Sequence, residues 1–175
     1  MKKHFGVLLL AVSIGAAAQT PTTPPSGGAA PPQAIPPARG PSFGLALEAA
    51  QIALDTCKAK GFNTSVSVVD SAGVLKVLLA ADGASSRGVQ SSTNKAVTAL
   101  TFKAATSQLG EQSKVDKELA DKIAANPNFN NRAGGVLLKV GADVIGAIGV
   151  GGARGSENDE ACALAGIQQV QARLK

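Results

Sequence analysis

The chain has 175 residues, with twenty glycines, nine prolines, one histidine, no tryptophan, no tyrosine and a formal charge of +5 at pH 7. That length suits one ordinary domain preceded by a leader. The charge gives no support to nucleic-acid binding. Lys2, Lys3 and Arg39 fall outside the segment that reads as folded, which keeps 14 basic and 12 acidic residues, interspersed, with few phenylalanines for base stacking.

Lys2 and Lys3 precede an apolar run from Phe5 to Ala18 that ends in Ala16-Ala17-Ala18. This is the pattern of a secretory signal peptide, with the cut expected after Ala18, and it predicts a periplasmic or secreted protein. The run is shorter than the ~20 residues a membrane-spanning helix needs. No cysteine lies near the cut, so no membrane anchor is expected. Residues 19–41 hold eight of the nine prolines among Thr, Ala and Gly. Such a stretch buries too little apolar surface to fold, and we expect a disordered tether leading into one domain over residues 42–175.

Within that domain, Phe43, Leu47, Ala50, Leu54 and Cys57 recur at helical spacing, opposite Glu48, Gln51, Asp55 and Lys58, and Gly61 stops the helix. Ser65 to Val69 alternates as a strand. Asp70-Ser71-Ala72-Gly73 is a turn sequence, and Val74 to Ala80 returns as a second strand. A helix from Ser85 or Ser86 to about Ala105 carries so little bulk that it should pack closely on a sheet or another chain. Ser113 with Asp116 has capping-box spacing, and Val115, Leu119 and Ile123 mark a short helix that Asn126-Pro127 ends. Strands follow over Val136–Val140 and Val144–Val150. A glycine loop through Gly151, Gly152 and Gly155 comes next, then a second capping-box pattern, Ser156 with Asp159, and a last helix from about Glu157 to Leu174. The order α-β-β-α-α-β-β-α predicts an α/β protein of the α+β kind, an antiparallel sheet with helices packed on it, and excludes alternating parallel architectures.

The glycine loop has two readings. A strand, a glycine loop and a helix start make a common cradle for anions. Alternatively the glycines only let strand and helix pack, and Glu157, Asp159 and Glu160 would repel an anion. A dinucleotide fold is set aside, since the G-x-G-x-x-G spacing is absent and the residues that follow do not supply another strand.

The sharpest signal is an absence. His4 and Met1 both lie in the expected signal peptide. The domain therefore has no imidazole base and none of the axial haem ligands His, Met or Tyr. Carboxylates do not cluster at ligand spacing, so no metal site is expected. Ser92-Thr93-Asn94-Lys95 matches S-x-x-K, but the companion motifs of serine–lysine enzymes are missing. Lys95 then reads as a ligand-contacting cation or a solvated lysine. An even cysteine count in an exported chain favours a Cys57–Cys162 disulfide between the first and last helices; the alternative is two buried thiols.

Three segments together resemble the GlcG/HbpS family, which also occurs as the C-terminal domain of PduO-type corrinoid adenosyltransferases. They are Ser65–Asp70 with Gly73 and Leu75; Lys95-Ala96-Val97-Thr98-Ala99; and Gly146–Val150 continuing through Gly152 to Asp159-Glu160-Ala161-Cys162-Ala163. The resemblance covers essentially the whole domain. It implies a profilin-like sandwich with a five-stranded antiparallel sheet, assembly into homo-oligomers, and haem or another small anionic or tetrapyrrole ligand as cofactor or partner. The ligand-binding candidates are Lys95, Thr98, Gly151, Gly152, Arg154 and Arg87. Without His, Met or Tyr, haem would be held through Lys, Thr or Cys, or through its propionates by Lys95, Arg87 or Arg154. The expected function is an exported binding protein for such a ligand. The alternatives are a non-catalytic oligomeric accessory protein, and an enzyme on small hydroxy or carboxylic acids using Lys95 with Asp70 or Asp159. No catalytic residue is assigned.

Overall fold

The computed structural model of the chain describes residues 37–175. The expected signal peptide and residues 19–36 of the expected tether lie outside the described residues. The elements are α1 (Phe43–Ala59), β1 (Ser65–Asp70), β2 (Leu75–Ala80), α2 (Ser86–Phe102), α3 (Thr106–Gln112), α4 (Lys117–Ala124), β3 (Gly135–Val140), β4 (Asp143–Gly151) and α5 (Ser156–Val170), closed by a 3-10 turn at Gln171–Arg173. The sheet runs β2-β1-β4-β3 with every pair antiparallel. It has four strands among the described residues, against the five that the resemblance implies. No helix among the described residues is long and apolar enough to cross a membrane.

α2 covers one face of the sheet and α1 with α5 cover the other. The α1/α5 face is apolar: Val66, Val68, Val77, Leu138, Ile148 and Val150 meet Ala46, Ala49, Ala50 and Ala53 of α1 and Ala163, Ile167 and Val170 of α5. The buried face of α1 differs from the predicted one. Phe43 is 61% and Leu47 38% exposed, while the alanines are sealed. Ala50 and Cys57 are buried as predicted, but Ala46, Ala49 and Ala53 complete the face in place of Phe43 and Leu47, so the helical period holds and the buried stripe is turned by less than one residue step. The reason is closeness. A side chain on Gly166 of α5 would strike the Ala49 carbonyl, so only small residues fit at the crossing. The disulfide fixes that approach, joining Cys57 to Cys162 with Cα atoms 5.6 Å apart.

The small-residue character of α2 has the same cause. A Cβ on Gly149 would fall on the Ser92 carbonyl, and one on Gly151 would press on Gly88 and Ser92. These glycines of β4 form a channel in which α2 lies directly on the sheet.

Two predicted caps are corrected. Ser113 closes α3, and it is Asp116 whose side chain accepts from the Leu119 N–H to start α4. Val115 is 90% exposed. At α5 the N-cap is Gly155, with no side-chain cap, because Asp159 turns into the protein instead. α2 also stops short of Ala105: Lys103 takes a left-handed conformation and an unforeseen helix, α3, begins at Thr106. The last described residues of the expected tether lie against the domain. Arg39 exchanges backbone and hydroxyl hydrogen bonds with Ser71 and pairs with Asp143.

Candidate functional site

Antiparallel pairing brings the N-terminal end of β1 beside the C-terminal end of β4, with Ser65 opposite Gly151, and the start of β3 beside Gly149. Four segments therefore converge at one end of the sheet: the first turns of α2, the loop before β3, the loop after β4 and the start of α5. Between them lies a cleft of about 500 Å³ whose lining includes Arg87, Ser91, Lys95, Asn130, Arg132 and Asp159.

Its floor is an ion pair. Lys95 Nζ donates to Asp159 Oδ2 at 2.6 Å and to the Val150 carbonyl at 3.0 Å, and the Ala153 N–H donates to Asp159 Oδ1 at 3.0 Å. Both side chains are buried, at 2% and 4% exposure. Burial pushes the lysine amine down and the carboxyl up, each shift partly offset by the partner's charge, and the Arg132 charge adds to the shift of Lys95 and opposes that of Asp159.

The wall carrying Arg132 is built on α2. The Asn130 N–H donates to Thr98 Oγ1 at 2.8 Å, and Asn130 Nδ2 donates to Ser91 Oγ at 3.0 Å. Phe129 meets Phe102 edge to face, with ring centroids 5.2 Å apart.

The predicted site residues separate on this geometry. Lys95, Gly152 and Arg87 line the cleft. Arg154 does not; it lines an adjoining hollow with Phe62 and Asn63. Thr98 is buried and its hydroxyl is engaged by Asn94 and Asn130, so it holds the wall and is not free to bind a ligand. Gly151 is buried under α2 and does not line the cleft. Ser92 faces the sheet, bonded to Ser67 and Val89, so the S-x-x-K pair does not act together. Asp70 lies at the opposite end of β1, opposite Gly146, and its carboxylate accepts from the Ala72 and Val74 N–H groups of the turn. Sequence reasoning missed Asn130, Arg132, Ser91 and Ser156. For Asn130 and Arg132 the one signal was an asparagine-rich loop just before a strand; Ser91 and Ser156, on α2 and at the start of α5, gave none.

The three acids at the start of α5 divide between the cleft and a neighbouring hollow. Asp159 is matched by Lys95. Glu157 and Glu160 line a separate hollow, where Ser107 donates to Glu160.

An antiparallel sheet covered on both faces, with a polar and cationic cleft at one end, defines a small mixed α/β protein. The sequence profile of a family described as "Haem degrading protein HbpS-like" matches residues 42–168. The chain belongs to this HbpS-like family. It is 30% identical to HbpS over 81% of this chain and 98% of that one, with a TM-score of 0.71. It is likewise 30% identical to a double mutant of Streptomyces reticuli HbpS, over 89% of this chain and 99% of that one, with a TM-score of 0.69. A PduOC:haem complex shares the fold at 23% identity and a TM-score of 0.67, covering 74% of this chain and 94% of that one. No curated protein sequence matches.

The cleft does not fit a ligated haem ring. Its lining is polar, with Ala153 and glycines as the non-polar exceptions. His4 and Met1 lie outside the described residues, and the chain has no Tyr. Thr98 is engaged by Asn94 and Asn130 and both cysteines by each other, and Lys95 is paired with Asp159 in a lining that offers no apolar wall to a ring. What the cleft does fit is a carboxylate, which guanidinium groups bind in bidentate geometry.

Proposed function

We propose that this protein is an exported binding protein for a small carboxylate-bearing ligand, which the cleft takes between Arg87 and Arg132. The observation that carries this reading is the charge balance of the cleft: among the described residues its one acid, Asp159, is paired with Lys95, which leaves the two guanidinium groups in excess. A tetrapyrrole is the candidate ligand that the family suggests, and here it would be recognised by its propionates and not by its iron. The leader pattern and the disulfide, a bond of oxidising compartments, support export. The homo-oligomer that the resemblance implies has a candidate surface in Val74, Leu75 and Leu78 at the edge strand β2, which are exposed.

Titration of the chain with hemin, with metal-free protoporphyrin IX and with the porphyrin dimethyl ester tests the reading. Saturable binding of the first two with comparable affinity, and none of the ester, is the expected result. Binding of hemin alone would return the reading to iron ligation, and binding of none of the three would remove tetrapyrroles from it.

A further inference from the structure

The amine of Lys95 is not fully committed. Nζ is tetrahedral, and beyond its bond to Cε it has two partners among the described residues, the Val150 carbonyl and Asp159 Oδ2. One position remains, and the side chain that carries it lines the cleft. Protonated, that position is an N–H. Deprotonated, the two remaining N–H bonds still satisfy both acceptors, and the open position is the nitrogen lone pair. The network thus holds in either state, and in the second it leaves a free lone pair on an amine beside a carboxylate.

We propose that Lys95 is a nucleophile that captures the carbonyl of a small 2-oxo acid or aldehyde acid as an imine, with Asp159 carrying the proton and the guanidinium groups of Arg87 and Arg132 holding the substrate carboxylate. This rests on the carboxylate-binding reading above and adds a carbonyl to the ligand. Nζ attacks the carbonyl carbon and forms the C–N bond. Asp159, hydrogen-bonded to Nζ, accepts the proton the nitrogen sheds and returns it to the former carbonyl oxygen. That carbinolamine oxygen leaves as water with the two protons of the original amine, and the C=N bond remains. No oxidant or reductant is needed. Enzymes that use lysine in this way activate it by desolvation or by a neighbouring cation. Lys95 is 2% exposed, and its burial outweighs the opposing pull of Asp159 and lowers the amine, with the Arg132 charge adding to the burial.

Sodium borohydride tests this, because it reduces an imine to a stable secondary amine. The native chain is incubated with pyruvate, reduced, digested and mapped by mass spectrometry. We expect one reduced pyruvyl group per chain, on Lys95, saturable with pyruvate, while surface lysines such as Lys58 and Lys139 stay unmodified. Replacing Arg132 with Ala should cut the yield at limiting pyruvate on the order of tenfold. Lys95→Arg keeps a cation beside Asp159 and should abolish the adduct. No adduct, or labelling spread over the surface lysines, overturns the proposal, and mapping of the unmutated chain decides this even if the variants fail to fold. Succinate separates the two readings, since it offers carboxylates without a carbonyl. Reversible succinate binding with no pyruvate adduct would leave the carboxylate reading standing and remove the imine. An absence of succinate binding would count against the carboxylate reading itself.

Discussion

The two faces of the sheet are built from different materials. Against α1 and α5 the core is Val, Ile, Leu and Ala, closed by a disulfide. Against α2 it contains a smaller apolar cluster around Val69, Ala96, Ala99, Leu100, Leu137 and Ala147, together with buried Ser67, Ser92, Lys95, Thr98 and Thr106. Apolar burial needs no hydrogen-bond partners, so the first face is constrained by shape alone, most tightly where Gly166 meets Ala49. Buried polar groups each need one, which fixes the second face more tightly and leads its hydrogen-bond network to the cleft. The division predicts that damage to the first face lowers stability alone, whereas damage to the second reaches the ligand.

The largest effect should come from the disulfide. It spans 105 residues of sequence. Loop closure on that scale is worth about 4–5 kcal/mol, so replacing Cys57 and Cys162 with Ala should lower unfolding stability by that order in urea denaturation. Ligand affinity, measured well below the new melting temperature, should not change. A change would mean that the two faces are coupled through α5.

Next comes the ion pair. Lys95→Met leaves Asp159 buried and unmatched, at a cost of about 3–4 kcal/mol. Burial raises the Asp159 pKa, so its contribution is present below the ordinary carboxylate range and lost as pH rises through the shifted value. Burial lowers that of Lys95, so its contribution is present above the ordinary lysine range and lost as pH falls through the shifted value. A buried ion pair is also weak evidence of net stabilisation, because desolvation offsets the attraction. The double variant Lys95→Met with Asp159→Asn, which keeps an acceptor for Ala153, should therefore recover most of the loss. Additive losses in that double-mutant cycle would contradict this account of the pair.

A smaller effect is expected at Thr98. Thr98→Val keeps the shape and removes the acceptor of the Asn130 N–H. It should cost about 1–2 kcal/mol and also weaken ligand binding, because Arg132 follows in that loop. A stability loss with unchanged affinity would detach the loop from the site.

Element order and the sheet were largely legible in the sequence, because alternation and glycine-bounded apolar runs are local signals. The hairpin at Asp70–Gly73 and the antiparallel sense of the sheet followed from them. The phase of α1 was not, since its buried face is alanine, which weighs little in a hydrophobic pattern beside Phe43 and Leu47. The site was legible only in part. Lys95 was read as a ligand-contacting cation and was coupled with Asp70 or Asp159 in the enzyme alternative, but the sequence could not choose between the two carboxylates, and the structure pairs it with Asp159. Lys95 and Asp159 stand 64 residues apart, and only the pairing of β1, β3 and β4 brings α2 to α5. Arg132 sits in an aperiodic loop, and Arg154 was favoured because it shares the glycine loop. The chain turns after Gly152, which carries a positive φ of 117°, and Arg154 lines the neighbouring hollow.

That last contrast supplies the most direct test. The affinity of protoporphyrin IX should be measured for the native chain and for Arg87→Ala, Arg132→Ala and Arg154→Ala. The account predicts a loss on the order of tenfold for each of the first two and none for the third, since a charged hydrogen bond to a carboxylate is worth about that much. A loss confined to Arg154→Ala, or equal affinity in all four proteins, would contradict the placement of the ligand in this cleft.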